Sequence, residues 1–224
     1  LKKFYAVCDL SHIFKKDLDD LITGLVKSGS TVPMKRTEAM PVSNFVYKWK
    51  SNEDLSLKLL RMKCLCLLAL SLYLRPSDVA PRSEVMDENG IITPIYFTVD
   101  QVTFNDDGSS DIVIFGNKND ACIQGSRRHL PKHRDPVIDP VSCLKSYILR
   151  TDRLRGPHKA VFIGLRCPFN PISSAQVAEI LNECIVQSGL DRKKYSAKYF
   201  RPTGATNAIS AGEDPDVVRC LGGW

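Results

Sequence analysis

An uncharged apolar run of eleven residues, Cys64 to Leu74, constrains this chain more than any other feature. It is far short of the ~20 residues that a membrane-spanning helix needs. It lies instead within an apolar helix, predicted to open near Asp54 and to pass through Leu55, Leu59, Leu60, Cys64, Leu67, Leu68 and Ser71 to Tyr73. Directly after it comes Arg75-Pro76-Ser77-Asp78, where Pro76 breaks the helix or opens the next one at its first turn. The surrounding chain is ordinary globular material: 224 residues, 43% hydrophobic and 25% charged, which excludes wholesale disorder and fibrous repeats. At this length roughly 70% of the unfolded surface is buried, enough for one large core or two modest ones.

Before that helix, residues 9–27 carry Leu10, Ile13, Phe14, Leu18, Leu21, Ile22 and Leu25 at helical spacing. Ser28-Gly29-Ser30 ends this helix, and the proline-containing stretch from Thr31 to Pro41 reads as a linker. Ser43 is an N-cap for a short helix over Asn44 to Lys50. Beyond Arg75 the texture changes to period two. Strands are predicted over Ile95–Val99 and Gln101–Phe104, then Asp111–Phe115, then Ala121–Leu130, with turns at Asn105–Gly108 and Gly116–Asp120. Helices return at 140–151, 174–188, about 198–211 and 215–221. The expected fold class is α+β: mostly helical, with a small three-stranded antiparallel sheet. The expected organisation is a helical arm and linker over 1–40, then one domain over 41–224.

The eight cysteines include no CxxC pair, and no Asn-x-Ser/Thr sequon occurs, so reduced thiols are the simpler reading. With no apolar signal core over Leu1–Leu10, the expectation is a soluble intracellular protein with no membrane partner. Leu1 is not a start methionine and Trp224 falls inside a motif, so a piece of a longer protein is expected. Thirty-one Lys and Arg against 25 Asp and Glu give a net charge of +6, which suits an anionic partner but also many ordinary enzymes.

Several motifs point nowhere. His129-x-x-x-His133 has helical ligand spacing, but it falls on a predicted strand and lacks further ligands, so no metal is expected. His133-Arg134-Asp135 spells a kinase tripeptide without its glycine-rich loop, and no phosphate loop or dinucleotide fingerprint is present. The basic residues carry more. Arg75 at the end of an apolar helix needs a strong partner, and Asp78 is placed to orient it; a capping ion pair accounts for the same residues. Lys118 sits at a polar hairpin tip, where a lysine is usually only solvated. Lys198 and Arg201 lie three apart on one helical face, as a solvent-facing stripe also would.

Taken in order, these boxes resemble the tyrosine recombinase (phage integrase) family. Ala197-Lys198-Tyr199-Phe200-Arg201-Pro202-Thr203-Gly204-Ala205-Thr206-Asn207-Ala208, followed by Gly212-x-x-Pro215-x-x-Val218 and Gly222-Gly223-Trp224, is similar to that family's second arginine box running into its His/Trp position. Leu72-Tyr73-Leu74-Arg75-Pro76-Ser77-Asp78 resembles the first arginine box, and Phe115-Gly116-Asn117-Lys118-Asn119-Asp120 the lysine hairpin. The likeness runs from about Pro41 to Trp224, and its ending is most like eukaryotic mobile-element recombinases of the DIRS-like retrotransposon or crypton kind.

The resemblance implies a duplex DNA partner, self-association on DNA as a dimer or tetramer synapse, and no cofactor. It also implies a nuclear location in a eukaryotic host, or the bacterial nucleoid. Its chemistry is attack of a tyrosine oxygen on a phosphodiester, leaving a 3′-phosphotyrosine and a free 5′-hydroxyl. Arg75 and Arg201 would stabilise the non-bridging oxygens, with Asp78 holding Arg75. Lys118 would protonate the leaving oxygen, Lys198 would assist or contact phosphate, and Trp224 would donate its indole N–H. Arg127 and Arg128 join Lys118 and Lys198 as expected DNA contacts. Two departures stand out. Lys198 replaces the usual histidine, as is common in type IB topoisomerases, which makes DNA relaxation one alternative and non-cleaving DNA binding another. The nucleophile belongs beyond Trp224, and none of the seven tyrosines occupies that place.

Overall fold

The computed structural model describes residues 38–46, 49–86, 92–95, 97–115 and 125–222. The helix expected over 9–27, the linker up to residue 37, the hairpin tip with Lys118, and Trp224 lie outside the described residues. Glu38–Trp224 packs as one compact unit.

Its centre is the apolar run. Helix α1 is a single turn, Ser43–Val46, and α2 spans Leu57–Ser71. Helix α2 opens at Ser56, whose side chain accepts from the Leu59 amide at 3.4 Å, rather than at Asp54. The Asp54 carboxylate is instead taken up by the Ser51 hydroxyl at 2.6 Å. Leu60, Cys64, Leu65, Cys66 and Leu68 are all essentially buried, because helices pack around α2 on several sides. Even Lys63 is buried there. Its ammonium donates to the Lys50 carbonyl (3.0 Å) and Asn52 Oδ1 (2.8 Å), and burial holds its pKa below the usual lysine value.

The surrounding helices are α3 (Pro140–Thr151), α4 (Ser174–Gln187), α5 (Phe200–Ser210) and α6 (Pro215–Gly222). Their starts are written in the sequence. Asp139 accepts from the Val141 and Ser142 amides with Pro140 in the first turn, and Ser173 and Gln176 form a reciprocal capping box. Tyr147 on α3 stacks on Phe162, from the segment before α4, with ring centroids 5.4 Å apart, and burial pushes the pKa of the Tyr147 hydroxyl up to about 12.

An antiparallel ribbon, β1 (Arg82–Met86) and β2 (Ile92–Ile95), follows α2; of its residues only Ile95 falls in an expected strand. Strand β1 opens on the polar run Arg82-Ser83-Glu84, and Pro94 inside β2 removes a ladder donor, so the usual strand signal is missing. The three-stranded sheet has the expected antiparallel order: β3 (Val102–Phe104), β4 (Ser110–Ile114), β5 (Ser126–Leu130). The strand expected over Ile95–Val99 is not formed as such: Val99–Gln101 is a 3-10 turn, entered through a Thr98–Gln101 capping box that competes with extended pairing. On β5, Arg128 and Leu130 point inward while Arg127 and His129 face solvent.

Candidate functional site

The site begins where α2 stops. Tyr73 takes a left-handed backbone (φ 54°), and the Leu74 amide reaches back to the Ala69 carbonyl at 3.2 Å, closing the helix in a Schellman-type turn. Glycine normally fills that position, and a tyrosine there costs on the order of 1 kcal/mol of backbone strain. Its ring is buried with Ala205 and Val218, which offsets that cost. The turn delivers Arg75 to the start of the 3-10 turn Pro76–Asp78. The Asp78 carboxylate, 4% exposed, accepts from the Arg75 main-chain N–H at 2.7 Å, and the Asp78 amide returns a bond to the Arg75 carbonyl at 2.8 Å. Asp78 thus fixes Arg75 through its backbone.

Helix α5 brings the second guanidinium. Gly204 faces α2 so closely that a Cβ there would lie 2.0 Å from the Leu70 carbonyl oxygen. One turn earlier on α5, this approach carries Arg201 to the α2 end that leads to Arg75. Arg201 is 6% exposed and donates through Nη2 to the Gly222 carbonyl, the last described residue of α6. Burial, then the neighbouring Arg75, then Arg128 pull its pKa down to about 10, while Asp78 acts in the opposite sense. Two like charges bear on a desolvated cation, with one buried carboxylate beside them.

Arg75, Lys198 and Arg201 line one open cavity of about 470 Å³, floored by Leu74, Pro76 and Ala197. Lys198 is exposed on the 3-10 turn Ala197–Tyr199, which is pinned by the Ala197 amide donating to Asn182 Oδ1 at 2.8 Å. Ser174 and Ala175, in the first turn of α4, complete the wall, so that helix presents its positive dipole end to the cavity. No carboxylate lines it among the described residues. Three basic side chains and a helix N-terminus around an open cleft supply the N–H donors and positive charge that suit a tetrahedral anion. A larger cleft of about 760 Å³ lies elsewhere, with Lys58, Arg61 and Arg166 beside Glu179. There Lys58 pairs with Glu183 at 2.7 Å, so its charge is already compensated.

Arg127 and Arg128 lie apart from the cavity wall. Arg127 is exposed and pairs with Asp111 at 3.2 Å, which His129 also meets at 3.2 Å. The Asp111 carboxyl is held below the usual range, chiefly by His129, then by Asn105 and Arg127. Arg128 is 2% exposed and donates through Nη1 to the Leu72 carbonyl. Sequence reasoning took Arg128 only as a DNA contact and left the start of α4 unassigned. The Asn170–Ser173 turn was the available signal for the start of α4, and no local signal marks the inward turn of Arg128.

A mostly helical unit with a small three-stranded antiparallel sheet matches the fold of the tyrosine recombinase catalytic domain. Similar solved structures bear this out at the level of fold. XerH site-specific recombinase bound to difH substrate, in a pre-cleavage complex, aligns with a TM-score of 0.55 at 16% identity, covering 82% of this chain and 45% of that one. XerA recombinase aligns with a TM-score of 0.53 at 12% identity, covering 85% and 56%. The chain therefore spans about half the length of these recombinases. No protein-family model and no curated protein matches it in sequence.

Proposed function

We propose that this chain is the catalytic part of a DNA strand-cleaving and rejoining enzyme, acting in site-specific recombination or integration through a 3′-phosphotyrosine. The observation that supports this most is the cavity itself: Arg75 and Arg201, 126 positions apart in sequence, meet there with Lys198, and no carboxylate lines it among the described residues. A phosphodiester under attack gathers charge on its non-bridging oxygens, and two guanidinium forks match that geometry. Each preorganised donor of this kind is worth about 2.7–4 kcal/mol in the barrier. In this reading Lys118 is the general acid for the leaving 5′-oxygen, Trp224 donates to a non-bridging oxygen, and the protein assembles as a dimer or tetramer on duplex DNA. The solved recombinases of this fold include complexes with their DNA substrates. A mobile-element origin and a nuclear location belong to the same reading.

The division of labour is testable in the native protein that carries this chain. Lys118→Ala should bind DNA nearly normally and cleave far more slowly, with the deficit largely removed on a substrate whose 5′-bridging oxygen is sulfur. Arg75→Ala should not be rescued this way, since its role is charge stabilisation. Rescue of Lys198→Ala instead would move the acid to Lys198, and rescue of neither lysine overturns general-acid catalysis by these side chains. Lys198 on the cavity wall also favours a second reading, topoisomerase-like relaxation, which plasmid relaxation without strand exchange would reveal.

A further inference from the structure

Arg128 is an unusual residue to find on an inward strand position. At 2% exposure its guanidinium has left water, and an apolar side chain at that point of β5 would match its inward neighbour Leu130. The side chain crosses from the sheet to the end of α2 and donates to the Leu72 carbonyl, 56 positions away in sequence. That carbonyl sits at the negative end of the core helix, where a cation is favoured. From Leu72 the chain has three steps to Arg75: through Tyr73 in its left-handed conformation, through Leu74, and into the turn held by Asp78. Asp78 fixes the far side of this link and Arg128 the near side.

We propose that Arg128 is a positioning residue: by tying β5 to the Leu72 carbonyl it sets the direction in which Arg75 meets a DNA phosphate. The idea rests on the cavity being a phosphodiester site. A plain structural staple would hold the same hydrogen bond, so the two must be separated by something other than stability.

The salt dependence of duplex DNA binding separates them, because each phosphate contact adds about 0.9 to the slope of log K against log salt. Measured on a short duplex between about 50 and 200 mM salt, Arg75→Ala should lower that slope by about 0.9. Arg128→Met should lower it equally, and the double variant should fall no further. A folded Arg128→Met protein with a wild-type slope, whatever its Tm, overturns the proposal, as does additive loss in the double variant. If Arg128→Met does not fold, Arg128→Leu, which matches its inward neighbour Leu130 and removes the donor, is scored against the same outcomes. An unchanged slope in Arg75→Ala would instead overturn the phosphodiester reading of the cavity, and this proposal with it.

Discussion

Replacing Gly204 with alanine tests how the site is assembled without touching any charged group. The added Cβ would stand 2.0 Å from the Leu70 carbonyl oxygen, 2.8 Å from its carbon and 3.0 Å from its Cα. All three are backbone atoms inside a helix, so no side chain can swing aside. Ordinary contact begins near 3.4 Å, and α5 must therefore retreat from α2 by about 1.4 Å at this crossing. Overpacking a tight interface costs about 3 kcal/mol at the upper end of its usual range. Alanine returns about 1 kcal/mol of helix propensity. The net loss is about 2 kcal/mol, or about 4–8 °C in Tm for a unit of this size. Arg201, one turn away, should shift with the helix, and a displacement near 1 Å at a reacting centre costs about 10²-fold in rate. Thermal unfolding of Gly204→Ala beside Asn207→Ala, on the exposed face of the same helix, makes the comparison. Asn207→Ala should be neutral or slightly stabilising. A Gly204→Ala protein as stable as wild type would refute the close-approach argument and with it the account of how Arg201 reaches Arg75.

Further outcomes follow from the same geometry. Arg75→Lys keeps the charge but loses the paired N–H donors, so strand cleavage by the native protein should fall about 10²–10³-fold while duplex binding changes little; equal cleavage rates would show that charge alone suffices. The folded Asp111 carboxyl titrates below its unfolded value, so its contribution to stability is present above about pH 3.9 and is lost as pH falls through the lower folded value. Asp111→Asn should accordingly flatten the acid limb of stability in denaturant titrations between about pH 5 and 3, and an unchanged limb contradicts the Asp111–His129–Arg127 cluster. Duplex DNA should raise Tm, with the gain reaching about 2.7 kcal/mol at a hundred times Kd and shrinking as salt rises.

The helices were legible because their signals are local. Asp139-Pro140, Ser173 with Gln176, and Pro215 each satisfy or spare a backbone donor within a few residues, and α3, α4 and α6 begin where those residues stand. Asp54 misled for the same reason: its carboxylate had a nearer partner in Ser51, and the cap fell to Ser56. The β1–β2 ribbon was not legible, since its pairing is non-local and its residues carry no alternation. At the site, Arg75, Asp78, Lys198 and Arg201 were found through the order of their boxes. Nothing local to Gly204 announces a carbonyl 134 positions earlier at contact distance. The inward turn of Arg128 was likewise hidden, because Ser126–Leu130 alternates in burial but not in polarity.

The central claim, that the Arg75–Lys198–Arg201 cavity receives a DNA phosphodiester for cleavage, is tested most directly by trapping the covalent intermediate. The native protein carrying this chain is incubated with a suicide duplex and resolved on a denaturing gel. The account predicts a protein–DNA adduct through a 3′-phosphotyrosine, strongly reduced in Arg75→Ala and Arg201→Ala while both still bind the duplex. No adduct from the native protein with its cognate duplex, or an adduct undiminished by loss of either arginine, would contradict it.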